Sequence, residues 1–193
     1  TFLVDDISDY KRKATVVLDK IFPEYTQIFS DTFGKTSKEI LTKYPLPKDI
    51  LNEDLLYMAI EQMEGMNIRR LLPAIRRFLK DDDKPAFAKS LLVELMIDQE
   101  IDEEMILVKN GIEYEINPSY APLVLNQEVG EMILALLSEA IEDENPSLFN
   151  LCEQFLNFYL YLIYPKFIDE YDYRSIAGAI HYHLASMQYI DLE

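Results

Sequence analysis

Residues 144–165 read ENPSLFNLCEQFLNFYLYLIYP, and what covers this stretch decides the fold. Asn145 is a good N-cap. Pro146 sits at the first helical position, where a missing N–H is tolerated, so the start of a helix is sharply marked. Leu148, Phe149, Leu151, Cys152, Phe155, Leu156, Phe158, Tyr159, Leu160, Leu162 and Ile163 then fill more than half of the turn. That pattern predicts a helix covered by neighbours on nearly every side. Glu153, Gln154 and Asn157 interrupt the apolar run, which is also too short to cross a bilayer. The expectation is therefore the central helix of a soluble core.

Composition sets the scale of that core. A chain of 193 residues, 49% hydrophobic, carries enough apolar material for one good core, or for a core with a small appended piece. Five glycines and nine prolines leave room for long helices. A formal charge of -17 and a single cysteine fit an intracellular protein, since secreted chains of this size more often use disulfides. Cys152 falls inside the helix just described and is expected to be a buried, inert thiol. No basic leader with an apolar run opens the sequence, so the cytoplasm is the expected location.

The charge is unevenly spread. Residues 1–52 are neutral overall, 53–100 carry net -3 and 101–193 carry net -14, with only Lys109, Lys166 and Arg174 as cations in that last part. So acidic a surface repels phosphates, which makes nucleic acid an unlikely partner for the second half. The step in charge, together with Pro45 and Pro47, predicts a boundary between an N-terminal helical segment, 1–52, and a helical interaction domain, 53–193.

In the N-terminal segment Ile7, Tyr10, Ala14, Val17, Leu18 and Ile21 recur at helical spacing, predicting an amphipathic helix over 6–22. Pro23 bends or restarts it, and Gly34 closes the unit. Several local runs stand out here: Asp9-Tyr10-Lys11-Arg12-Lys13, Ile21-Phe22-Pro23-Glu24, Phe33-Gly34-Lys35-Thr36-Ser37 and Tyr44-Pro45. In this order they resemble the helical stretch between the two catalytic domains of DEDD-type insertion-sequence transposases. In that family the catalytic acids precede the stretch and a catalytic serine follows it, so no active-site residue carries over. The resemblance implies at most a nucleic-acid-binding remnant. A segment this short needs a partner surface, either on the helical hairpin expected from Leu55 to Leu79 or on a second copy in a homodimer.

Beyond Asn52, Leu55, Leu56, Met58, Ala59 and Met63 predict a helix that breaks at Gly65. From Asn67 the next helix puts Leu71, Leu72, Ile75, Phe78 and Leu79 on one side and Arg69, Arg70, Arg76, Arg77 and Lys80 on the other, with Pro73 kinking the basic side. Asp81-Asp82-Asp83 lacks the glycine and final glutamate of a calcium loop and reads as a solvated turn. Pro85 opens a helix through Leu95 and Met96. Then MILVK, Asn110-Gly111 and IEYEI predict a β-hairpin at about 104–117, because Asn-Gly supplies the positive φ angles of a type I′ turn. A helix at about 126–142 should turn Val129, Met132, Ile133, Leu136, Leu137 and Ile141 inward. The last helix, 171–190, should bring Gly178 against the central helix. The fold class is mostly α, a helical bundle or repeat-like helical hairpins with one small β-hairpin.

The runs Arg77-Phe78-Leu79-Lys80-Asp81, Lys89-Ser90-Leu91-Leu92, Glu144-Asn145-Pro146-Ser147-Leu148-Phe149, Leu160-Tyr161-Leu162-Ile163-Tyr164-Pro165 and Ala179-Ile180-His181-Tyr182-His183 carry a second resemblance. Residues 71–190 resemble the C-terminal region of tetratricopeptide-repeat proteins of low-GC Gram-positive bacteria. What this implies is a non-catalytic protein-protein interaction role with no cofactor.

No enzymatic constellation competes with that reading. His181 and His183 are two residues apart on a helix and point about 200° from one another, so they cannot ligate one ion together. There is no Gly-rich phosphate loop. The basic cluster Arg69, Arg70, Arg76, Arg77 and Lys80 remains. Its simplest role is pairing with the chain's own acids. The sharper one is holding an acidic or C-terminal carboxylate segment of another protein, because the arginine fork matches a carboxylate.

Overall fold

The computed structural model describes residues 53–188, and the expectations for 1–52 and 189–193 lie outside them. The chain divides into two compact units, one ending at Ala121 and the other beginning at Pro122. The fold is mostly α with one small two-stranded sheet.

In the first unit α1 spans Glu53–Glu61, α2 Leu72–Lys80 and α3 Ala86–Asp98. The helix expected from Asn67 begins differently. Asn67 accepts a hydrogen bond from the Arg69 N–H and caps a 3-10 turn, Ile68–Leu71; α2 follows with Pro73 in its first turn. The kink expected at Pro73 is therefore absent, because its missing N–H falls where an α-helix has no internal acceptor for one. Leu71, Leu72, Ile75, Phe78 and Leu79 are buried as their spacing requires.

The enclosed helix of this unit is α3. Ala88, Lys89, Ser90, Leu92, Val93, Leu95 and Met96 are all buried, and the helix packs against both α1 and α2. Strand β1, Met105–Lys109, pairs antiparallel with β2, Ile112–Ile116, through Asn110 at φ 53° and Gly111 at φ 75°. The Gly111 N–H donates to Asp82 Oδ2 at 2.8 Å, so the exposed aspartate turn anchors the hairpin. Met105 and Leu107 on β1 are buried, as is Ile116 opposite Met105, whereas Ile112 at the turn end is half exposed. The packed face thus lies mainly on β1.

The second unit holds α4, Glu128–Leu137, continued by a π-helical turn, Ser138–Glu142; α5, Pro146–Ile163; and α6, Tyr173–Met187, preceded by a 3-10 turn at Glu170–Asp172. Each of these three helices packs on the other two. The Asn145 side chain accepts from the Leu148 N–H at 3.1 Å, the cap that the sequence marks. Helix α5 is not, however, covered all round. Only Leu148, Cys152, Leu156 and Leu160 are buried, one residue per turn, while Leu151 and Phe158 are exposed. Two neighbouring helices can cover one face of a third but not its whole circumference. Half of the partly covered positions, Phe149, Phe155, Tyr159 and Tyr161, are aromatic, bodies that tolerate a partly wet environment.

Two further inward expectations are corrected. Met132 is 47% exposed, because the buried stripe of α4 runs through Gly130, Ile133 and Leu137 to Ile141. Gly178 is exposed as well. The close approach falls instead at Gly130, where a Cβ would stand 3.1 Å from Leu160 Cδ1.

Candidate functional site

Gly178 opens onto a groove in the second unit. Among the described residues, a Cβ placed there meets no heavy atom within 4 Å. Around it α4 contributes Leu136 and Leu137, the π-helical turn Glu139 and Ala140, and α6 Arg174, Ala177 and His181, enclosing about 480 Å³. A π-turn inserts a residue into the helical ladder and re-aims the side chains that follow it. Here Ile141 stays buried while Glu139 and Ala140 face outward. The Ser138 hydroxyl donates to the Glu142 carboxylate across that turn.

The groove combines small, apolar and charged side chains. Ala140, Ala177 and Gly178 present almost no side chain, so another backbone can come close. Leu136 and Leu137 give an apolar wall, and Arg174 and Glu139 offer one cation and one anion. Cys152, the single thiol, is buried on α5, and burial pushes its pKa up, away from a reactive thiolate. His181 lines the groove, whereas His183 sits against Phe155 with ring centroids 5.8 Å apart. The two imidazoles thus serve different surfaces, as their spacing requires.

The basic face is partly engaged within its own unit. Arg69 donates to the Gln99 carbonyl at 2.8 Å; Arg76 donates to the Glu104 carbonyl at 2.7 Å and pairs with the Glu103 carboxylate. Gln99 completes the clamp, its side chain accepting from the Ile68 N–H at 3.1 Å and donating to the Met66 carbonyl at 2.7 Å. Arg70, in the 3-10 turn, and Arg77 and Lys80, on α2, are exposed. Two of the five predicted residues thus fasten the segment 99–104 to the 3-10 turn and α2.

Sequence reasoning missed the groove itself. The available signal was the small side chains of Ala177-Gly178-Ala179, which pointed to a close helix contact where the structure instead leaves open space. Among the described residues no group of three or more histidine, cysteine or carboxylate side chains is arranged to hold a metal ion. Among them, too, no helix is long and apolar enough to cross a membrane.

No family model matches the chain, and no solved structure does. Among curated proteins the chain is 24% identical, over 157 residues, to the TPR repeat-containing protein YsoA of Bacillus subtilis (strain 168). The match covers 81% of this chain and 43% of that protein, so the chain spans less than half of its relative's length. This likeness agrees with the tetratricopeptide-type resemblance of residues 71–190, and nothing in the comparisons supports the transposase resemblance of residues 1–52.

Proposed function

We propose that the chain is a non-catalytic protein-interaction module of the tetratricopeptide-repeat type, and that it holds a segment of a partner protein in the α4–α6 groove. The observation that carries this reading is the open groove over Gly178, in which three small residues adjoin an apolar wall and a lone arginine. Glycine in a helix interior costs about 1 kcal/mol against alanine. Among the described residues nothing packs into the space its missing side chain leaves. A ligand backbone would fit there. The name of the curated relative points to the same class of role.

An acidic partner segment on the face of Arg69, Arg70, Arg76, Arg77 and Lys80 is the lesser alternative, because Arg69 and Arg76 already serve their own unit. A homodimer through residues 1–52 is a separate proposal, tested by the oligomeric state of the full chain.

The test of the groove is Gly178→Leu. The new side chain meets open space and gains helix propensity, so the variant should fold at least as stably as the parent while losing partners recovered by affinity isolation from the host organism. Retention of every partner by a correctly folded Gly178→Leu protein would remove the groove from the account.

A further inference from the structure

A second groove lies in the first unit, between α1 and α3, and nothing above gives it a role. Buried Ile60 and Leu95 form its floor, Tyr57 and Leu91 its half-exposed walls, and it encloses about 370 Å³. Its other described lining residues are all carboxylates: Glu61 and Glu64 on one side, Glu94 and Asp98 on the other. None of the described lining residues is basic. We propose that this groove docks a lysine- or arginine-rich amphipathic helix of another protein.

Three features choose that occupant. First, carboxylates line both edges: Glu61 closes α1 and Glu64 stands in the turn just after it, while Glu94 and Asp98 lie four apart, one helical turn, on α3. Cations one turn apart on either flank of an apolar helical stripe match both edges while the stripe meets Ile60 and Leu95. Second, no described carboxylates converge as a metal site would, so the charge is complemented by a spread of cations and not by a single ion. Third, Glu61 closes α1 and Asp98 closes α3, and neither last turn contains a basic residue. Carboxylates there oppose the helix macrodipoles, and the two C-terminal ends add their own negative potential to the groove. These acids are placed against the preference of their own helices, which is expected where charge serves a partner and not the fold. The proposal concerns this unit alone and stands whether or not the α4–α6 groove binds a peptide.

The test uses the full chain and a fluorescein-labelled amphipathic peptide of leucine and lysine, with a leucine–glutamate peptide of the same pattern as control, read by anisotropy at physiological salt. The lysine peptide should bind and the glutamate peptide should not. Glu61→Lys combined with Asp98→Lys should weaken binding about tenfold or more, as expected when two charge pairs become repulsive. Its thermal midpoint should be unchanged or raised, since both new cations suit helix C-termini. Because the whole chain is acidic, Asp143→Lys combined with Glu144→Lys, both exposed in the other unit, serves as the charge-matched control and should change affinity far less. Equal weakening by the two double variants, binding of both peptides alike, or no binding of the lysine peptide would each overturn the proposal.

Discussion

Replacing Lys109 with methionine should change how the stability of the first unit depends on pH. Lys109 is 3% exposed on β1, and its ammonium donates to Ser90 Oγ at 2.6 Å. Lys89 on α3 is fully buried beside it and donates to the Val108 carbonyl at 2.5 Å. Burial first, and then the neighbouring Lys89 charge, bring the Lys109 pKa from 10.5 down to about 7. Burial also lowers Lys89, against the opposing attraction of Asp82, Asp81 and Asp83.

The direction follows from proton counting. Between pH 7 and 10.5 the unfolded chain keeps the Lys109 proton that the folded one has released, so stability rises with pH across that window and is flat below it. The slope approaches about 1.4 kcal/mol per pH unit, and integrating the two titrations from about pH 7 to 9 gives about 2 kcal/mol. Methionine is of similar length and apolar, and it deletes this contribution. The assay is urea unfolding followed by far-ultraviolet circular dichroism at about pH 7, 8 and 9 for parent and variant. The second unit is common to both and cancels in their difference. Lys89 leaves a residual slope of the same sign in the variant. Parallel pH profiles for the two proteins would refute the picture of Lys109 as an ammonium held in a site that favours its neutral form.

Other substitutions probe the packing. Leu156→Ala, in the single buried stripe of α5, should cost about 2–5 kcal/mol, whereas Leu151→Ala on the exposed side of the same helix should cost less than about 1 kcal/mol; both are read by urea midpoints. Similar losses at both positions would show a helix enclosed on all sides. Gly111→Ala forces a side chain into φ 75° and should cost about 1–2 kcal/mol, measured in the same way. The Cys152 thiol should react slowly with a maleimide at neutral pH and rapidly once denaturant is added.

The readings that survived were those in which local chemistry leaves one solution. Asn110-Gly111 between two alternating runs fixed the hairpin and its register, and Asn145-Pro146 fixed the start of α5, because turns and caps are decided by residues adjacent in sequence. The apolar side of Ile75, Phe78 and Leu79 was equally plain, since a strong division into apolar and basic halves admits one orientation.

What sequence could not supply was the number of neighbours each helix has. An apolar count made α5 look enclosed, yet the enclosed helix is α3, whose buried residues include Lys89 and Ser90. A lysine reads as surface until a carbonyl across the core is seen to receive it. The same limit hid both grooves, each made by two helices separated in sequence. It also hid the true close contact at Gly130, because a small residue announces available space but not which element fills it.

The measurement closest to the central claim is site-specific photo-crosslinking in living cells, with the reactive residue placed at Gly178 or Ala140 in the α4–α6 groove, or at exposed Ser147 on α5 as a control. The account predicts one shared protein adduct from the two groove positions that is missing from position 147. The same adduct from all three positions, or none from either groove position in cells where the protein is expressed and folded, would contradict the reading of this chain as a module that grips a partner in that groove.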